Sequence, residues 1–236
     1  METEDNYDEN LIEVISPERA TIEIENRKKF KERLSKLPED QIMLVDTAYD
    51  QSKEAMRPFL RQTGERSFEH ARRVALIMID ELGILYPNFI IDCLLHDTIE
   101  DSAIYGNLKE RMPVWKNTAR FRLSRLFNPE VADDVITLTT PKPNGMDVMT
   151  KEEAHEIYMN GLASAPLRVL LVKMCDRTDN LRTLAGTPRE KQIKIVNETR
   201  QQYMSLFQDV LQEFSSEGVY LIDQMQTEMG KLNVPV

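Results

Sequence analysis

Apolar residues recur along this chain at three- and four-residue intervals, and no stretch sustains the period-two alternation of a half-buried strand. Ile42, Val45, Ala48 and Tyr49 form one such stripe, and Val74, Leu76, Ile77 and Ile79 form another. The segment PLRVLLVKMCDRTDNLRTL carries two. Leu167, Leu170, Leu171, Met174, Thr178 and Leu181 make the first, and Val169, Val172, Asp176 and Asn180 the second, so a largely buried helix should project Asp176 and Asn180 one turn apart. The pattern predicts an all-α fold of about eight to eleven helices.

Punctuation residues place the boundaries. Ser16-Pro17-Glu18 reads as a cap with proline at the first helical position, opening a charged helix through about Leu34, and Pro38 starts the next. Ser67 is the expected cap of a helix that Gly83 stops. Pro87-Asn88 opens NFIIDCLLHDTIED, apolar on nearly all sides until His96 and therefore a core helix. Asn128-Pro129-Glu130 begins a short helix, and TTPKPNGMD after it is a loop. Thr150 with Glu153, and Thr187 with Glu190, have capping-box spacing. After Gly186 one long helix and a shorter one ending near Gly230 are expected. The organisation that follows is an acidic, flexible tail with a helical extension over 1–45, a main domain over 46–190, and C-terminal helices packing on it over 191–236.

Composition narrows the class. A chain of 236 residues with 41% hydrophobic content supports one substantial core. It has no run of eighteen apolar residues and an acidic start, METEDNYDEN, so a soluble cytoplasmic protein without membrane association is expected. Forty acidic against thirty basic residues give a net charge of −10, which disfavours a nucleic-acid polymer but suits a small anion bridged by metal. Cys93 and Cys175 lie in apolar stretches and read as buried free thiols. The oligomeric state stays open, and a homo-oligomer is compatible with the terminal helices.

Two of the three histidines stand where chemistry explains them better than packing does. His96-Asp97 closes the apolar helix and Glu100-Asp101 follows at a spacing of four, which places His96 beside Glu100 and Asp97 beside Asp101. An exposed acidic helix end would account for Glu100-Asp101 alone. It accounts poorly for His96-Asp97, because carboxylates against Ile90, Ile91, Leu94 and Leu95 need compensating positive charge. One divalent metal supplies it, and imidazole with carboxylate suits Mn²⁺, Fe²⁺ or Zn²⁺. Singly, His70 reads as a satisfied histidine and Asp176 as a salt-bridge partner. The ordered series His, His-Asp, Asp raises both. His155 reads as solvated, and Trp115 and the Met-rich C-terminal helix as packing.

The segments RQTGERSFEHARRVA, CLLHDTIED and VKMCDRTDNLRTL together resemble the HD-type hydrolase domain of RelA/SpoT alarmone enzymes and their stand-alone small hydrolases, over roughly residues 46 to 190. The resemblance implies a helical HD fold that binds Mn²⁺ and removes the 3′-pyrophosphate of guanosine tetra- and pentaphosphate, (p)ppGpp, releasing GDP or GTP. By position it makes His70, His96, Asp97 and Asp176 the metal ligands, and Glu100 and Asp101 the acidic pair beside the attacking water. Asn180 becomes a pocket residue, and Arg61 and Thr63 contacts to the guanine nucleotide. Lys142 and Arg177 are cations that could offset phosphate charge, or simply surface cations.

Fewer than fifty residues follow residue 190 and they read as helices, so hydrolysis without the synthetase activity of the long enzymes is expected. The block EEAHEIYMNGLASAPLRVL lacks the Arg-Lys pair common in those enzymes, which leaves other substrates open. One alternative is an HD phosphohydrolase of a 5′-monophosphate or NADPH. Another is a non-catalytic nucleotide-binding or antitoxin-like module.

Overall fold

In the computed structural model of the protein the described residues are 17–143, 146, 147 and 149–234, so the expected tail, the Ser16 cap and Asn144-Gly145 of the loop lie outside them. The helices are α1 (Pro17–Arg33), α2 (Glu39–Ala55), α3 (Ser67–Leu76), α4 (Pro87–Leu95), α5 (Thr98–Asp101), α6 (Met112–Leu126), α7 (Pro129–Leu138), α8 (Lys151–Ala163), α9 (Leu167–Arg182), α10 (Arg189–Glu198), α11 (Met204–Val210) and α12 (Ser215–Lys231). A π-helical turn, Ile77–Glu81, prolongs α3, and a second, Thr199–Tyr203, joins α10 to α11. Twelve α-segments with one such junction make eleven continuous helices among the described residues. The fold is all-α, and among the described residues strand-type pairing is confined to one isolated antiparallel bridge, Leu60 with Arg66.

The helix starts follow the local chemistry that marked them. Proline opens α4 and α7, and the Asn128 side chain accepts from the Val131 amide at 3.0 Å. Thr150 and Glu153 form the reciprocal capping box at α8. Two expected caps differ. Ser67 is the first helical residue rather than the cap, which is Arg66. Thr187 turns its hydroxyl back to the Leu184 carbonyl at 2.8 Å, so Pro188 stands at the cap of α10 with no side-chain bond.

The expected single helix through His96 to Asp101 is two. His96 Nδ1 and Thr98 Oγ1 bond the Cys93 and Leu95 carbonyls at 2.8 and 2.6 Å, so side chains take up two acceptors of α4's last turn. The chain turns at His96-Asp97 and restarts as α5. The segment α9 is the axle of the molecule: residues Val169–Asp179 are all buried, and the helix packs against α3, α4, α7, α11 and α12. One core runs from Phe30 to Val234 and holds both free cysteines, Trp115, Met225 and Met229. Packing α3 and α4 against one side of this axle brings their histidines to Asp176.

Candidate metal centre and adjoining cleft

His70 comes from α3, His96 and Asp97 from the end of α4, and Asp176 from α9. The His70 Nε2 atom lies 3.0 Å from Asp176 Oδ1 and 3.3 Å from His96 Nε2. Asp97 Oδ2 is 3.1 Å from His96 Nε2 and 3.8 Å from His70 Nε2. Asp97 has a side chain 33% exposed against 4% for His70, so the centre opens on its side. His70, His96 and Asp176 offer ligand atoms all within 4.8 Å of one another.

The donor set fits a divalent cation. The Nδ1 atom of His96 faces a carbonyl oxygen, which can only accept, so that nitrogen carries the proton and Nε2 presents its lone pair to the cluster. Two ring nitrogens converging beside two carboxylates need a positive charge between them. Titration expresses the same demand. Burial opposes charge on His96, yet Asp97, by charge and hydrogen bond, and Asp176 raise its pKa from 6.5 to about 9. Burial works against ionising Asp97, but His96 beside it holds the carboxyl down at about 2. Buried Asp176 stays well below the usual carboxylate range through Lys173, His70 and His96.

Glu100 and Asp101 behave oppositely. Burial first, and then the charge of Asp97, raises both, Asp101 to about 7. Glu100 Oε1 accepts from the Thr140 amide at 2.6 Å, and its carbonyl accepts from Lys142 Nζ at 2.9 Å. The exposed Lys142 thus stands beside the acidic pair. Arg177 goes elsewhere than a phosphate site: its guanidinium stacks 3.9 Å over the Tyr203 ring and reaches Glu198 at 3.2 Å, because α9 turns that position toward the α10–α11 layer. His155 is half-buried and bonded to Gln202 at 2.7 Å rather than solvated.

Next to the centre opens a cleft lined by Arg61, Gln62, Thr63, Asn180, Thr183, Leu184, Thr187, Lys191 and Ile195. Asn180 belongs to both places. Its Nδ2 donates to Asp176 Oδ1 at 2.5 Å and its Oδ1 accepts from Arg61 at 2.6 Å. Sequence reasoning missed Lys173, whose ammonium holds Asp176 Oδ2 at 2.7 Å, and Asp179, which meets His70 Nδ1 at 2.7 Å. Their spacing of three either side of Asp176 was the available signal.

The sequence matches the HD-domain family over residues 48–208, and the chain belongs to that family. It is 32% identical over 166 residues to the GTP pyrophosphokinase rsh of Brucella melitensis, covering 69% of this chain and 20% of that protein. It is 31% identical over 174 residues to the bifunctional (p)ppGpp synthase/hydrolase SpoT of Escherichia coli, covering 72% and 22%. The chain therefore spans about a fifth of the length of these curated relatives. Its fold is similar to that of a solved structure, described as a metazoan ortholog of SpoT that hydrolyzes ppGpp, with a TM-score of 0.57, 19% identity, and coverage of 84% of this chain and 99% of the other. No described helix is long and apolar enough to cross a membrane.

Proposed function

We propose that the chain is a Mn²⁺-dependent hydrolase that removes the 3′-pyrophosphate of (p)ppGpp, with His70, His96, Asp97 and Asp176 as metal ligands. The observation that carries this reading is the convergence of those four side chains on a centre that shares Asn180 with the adjoining cleft. The activities for which SpoT and the metazoan ppGpp hydrolase are named supply the substrate, and imidazole–carboxylate donors suit Mn²⁺.

When bound, a divalent cation supplies Lewis acidity at the phosphoryl group and lowers the pKa of water. The chain's residues do the rest. Arg61 and Thr63 hold the nucleotide in the cleft, and Asn180 aligns Asp176. Glu100, with its carboxyl pKa raised and one oxygen fixed by the Thr140 amide, accepts a proton as water attacks the phosphorus bonded to the ribose 3′-oxygen. That P–O bond breaks, the proton taken up by Glu100 passes to the leaving 3′-oxygen, and GDP or GTP departs with pyrophosphate. The charges of Asp97 and Glu100 help hold Asp101 protonated beside the base, and Lys142 balances the acidic pair.

The test is to incubate Mn²⁺-loaded protein with a nucleotide panel and identify the phosphate product. Pyrophosphate and GDP from ppGpp are expected. Orthophosphate from a 5′-monophosphate or NADPH would overturn the substrate, and binding without product would make the chain a nucleotide-binding module.

A further inference from the structure

Behind the centre, on the side of His70 away from the cluster, lies a chain of buried and half-buried charges that the proposed reaction does not use. Asp179 Oδ2 stands 2.7 Å from His70 Nδ1, with side chains 3% and 4% exposed. Both oxygens of Asp179 are engaged from the other side by Arg73, Nε to Oδ1 at 2.7 Å and an NH2 nitrogen to Oδ2 at 3.1 Å. Arg73 in turn binds both carboxylate oxygens of Glu65, one of them at 2.9 Å. Glu65 sits in the same tight turn as Arg61, whose amide donates to the Glu65 carbonyl at 2.7 Å.

We infer that Asp179, braced by Arg73 and Glu65, is the positioning residue of the metal ligand His70, and that through Glu65 it ties metal affinity to the loop carrying Arg61. The inference rests on the metal reading of the centre but not on any substrate. A carboxylate forked by a guanidinium is ionised and can only accept, so it fixes the proton of His70 on Nδ1. Nε2 is then an unprotonated donor at the point where His96, Asp97 and Asp176 converge. The ring plane is set at the same time, because α3 and α9 are packed together and neither partner is free to follow a rotated imidazole. The same loop reaches the centre twice, by Arg61 to Asn180 to Asp176 and by Glu65 to Arg73 to Asp179 to His70.

The experiment is titration of metal-free full-length protein with Mn²⁺, followed by the electron paramagnetic resonance of the free ion, for wild type, Asp179→Ala, Asp179→Glu, Arg73→Gln and Glu65→Gln. Asp179→Ala should bind Mn²⁺ about 10- to 100-fold more weakly, the usual cost of losing such a partner, and Asp179→Glu should recover part of the loss. Arg73→Gln and Glu65→Gln, farther out and half-exposed, should weaken binding by smaller factors in that order. Among only three histidines, the ¹⁵N spectrum of Zn²⁺-loaded wild type should show a His70 Nδ1 proton protected from exchange, and Asp179→Ala should lose that protection. A merely structural carboxylate would lower the Tm of the metal-free protein and leave these readouts unmoved. Wild-type affinity in folded Asp179→Ala and Arg73→Gln would overturn the inference while leaving the metal centre intact. No Mn²⁺ binding by the wild type would overturn both.

Discussion

At the scale of single residues, Asp176 and Glu100 have distinguishable work, although both are acids near the same cluster. Asp176 is 3% exposed and is met by Lys173, Asn180 and His70, so Asp176→Asn removes the charge those partners are arranged around. It should lose metal and activity together, since second-sphere donors cannot restore a missing ligand charge. Glu100 touches the Thr140 amide instead of the cluster, so Glu100→Gln keeps that hydrogen bond and removes only a base. Metal content and nucleotide affinity should survive while kcat falls at least about a hundredfold. A Glu100→Gln protein that emptied of metal while Asp176→Asn stayed loaded would reverse the two roles. Arg61→Ala should raise KM roughly 10- to 100-fold with a smaller change in kcat, because it removes a charged hydrogen bond in the cleft rather than a group at the reacting phosphorus. Unchanged KM with collapsed kcat would contradict that.

At the scale of elements, helix ends marked by proline or by a cap at fixed spacing were legible, and ends made by side chains turning back onto carbonyls were not. Proline at Pro87 and Pro129, the Asn128 cap and the Thr150 box act on their nearest neighbours, so sequence spacing carries them. The break at His96-Asp97 has no proline or glycine, and it follows from His96 and Thr98 competing for carbonyls within the turn. Thr187 fails as a cap for the same kind of reason. The four side chains of the cluster could be found because three separate blocks each kept a recognisable pattern. Lys173 and Asp179 carried only their spacing of three from Asp176, and the roles of Asp179, Arg73 and Glu65 arise only once α3 packs on α9. Gly83 tests the legible class. Its φ is +67° and an added Cβ meets nothing within 4 Å, so Gly83→Ala should cost about 1–2 kcal/mol from backbone strain alone. Thr150→Ala should cost about 1 kcal/mol through the lost cap. Urea midpoints of both variants measure this, and a Gly83→Ala protein as stable as wild type would show that the turn relaxes.

At the scale of the whole molecule, the centre makes stability depend jointly on pH and metal. Asp97 and Asp176 have depressed carboxyl pKa values, so their contribution is complete above the ordinary carboxylate range and constant from about pH 5 upward. His96 is the reverse. Its pKa is raised from 6.5 to about 9, so the stabilisation it gives is full below pH 6.5 and is lost as pH rises through 9. Asp101, raised from 3.8 to about 7, favours the protonated folded state and adds a loss that is complete by about pH 7. Metal-free protein should therefore lose stability steadily from about pH 5 to pH 9, with His96 accounting for a few kcal/mol of the loss at most, at about 1.4 kcal/mol per pKa unit. A bound dication occupies the place of that proton and favours ionised Asp101, so Mn²⁺ at saturation should flatten the decline and stabilise most at alkaline pH. Urea unfolding at pH 5, 7 and 9, with EDTA and with Mn²⁺, reads both curves. A metal-induced gain that is largest at pH 5 would mean that the cation binds somewhere other than the four side chains His70, His96, Asp97 and Asp176, because only at those side chains must it compete with the His96 proton.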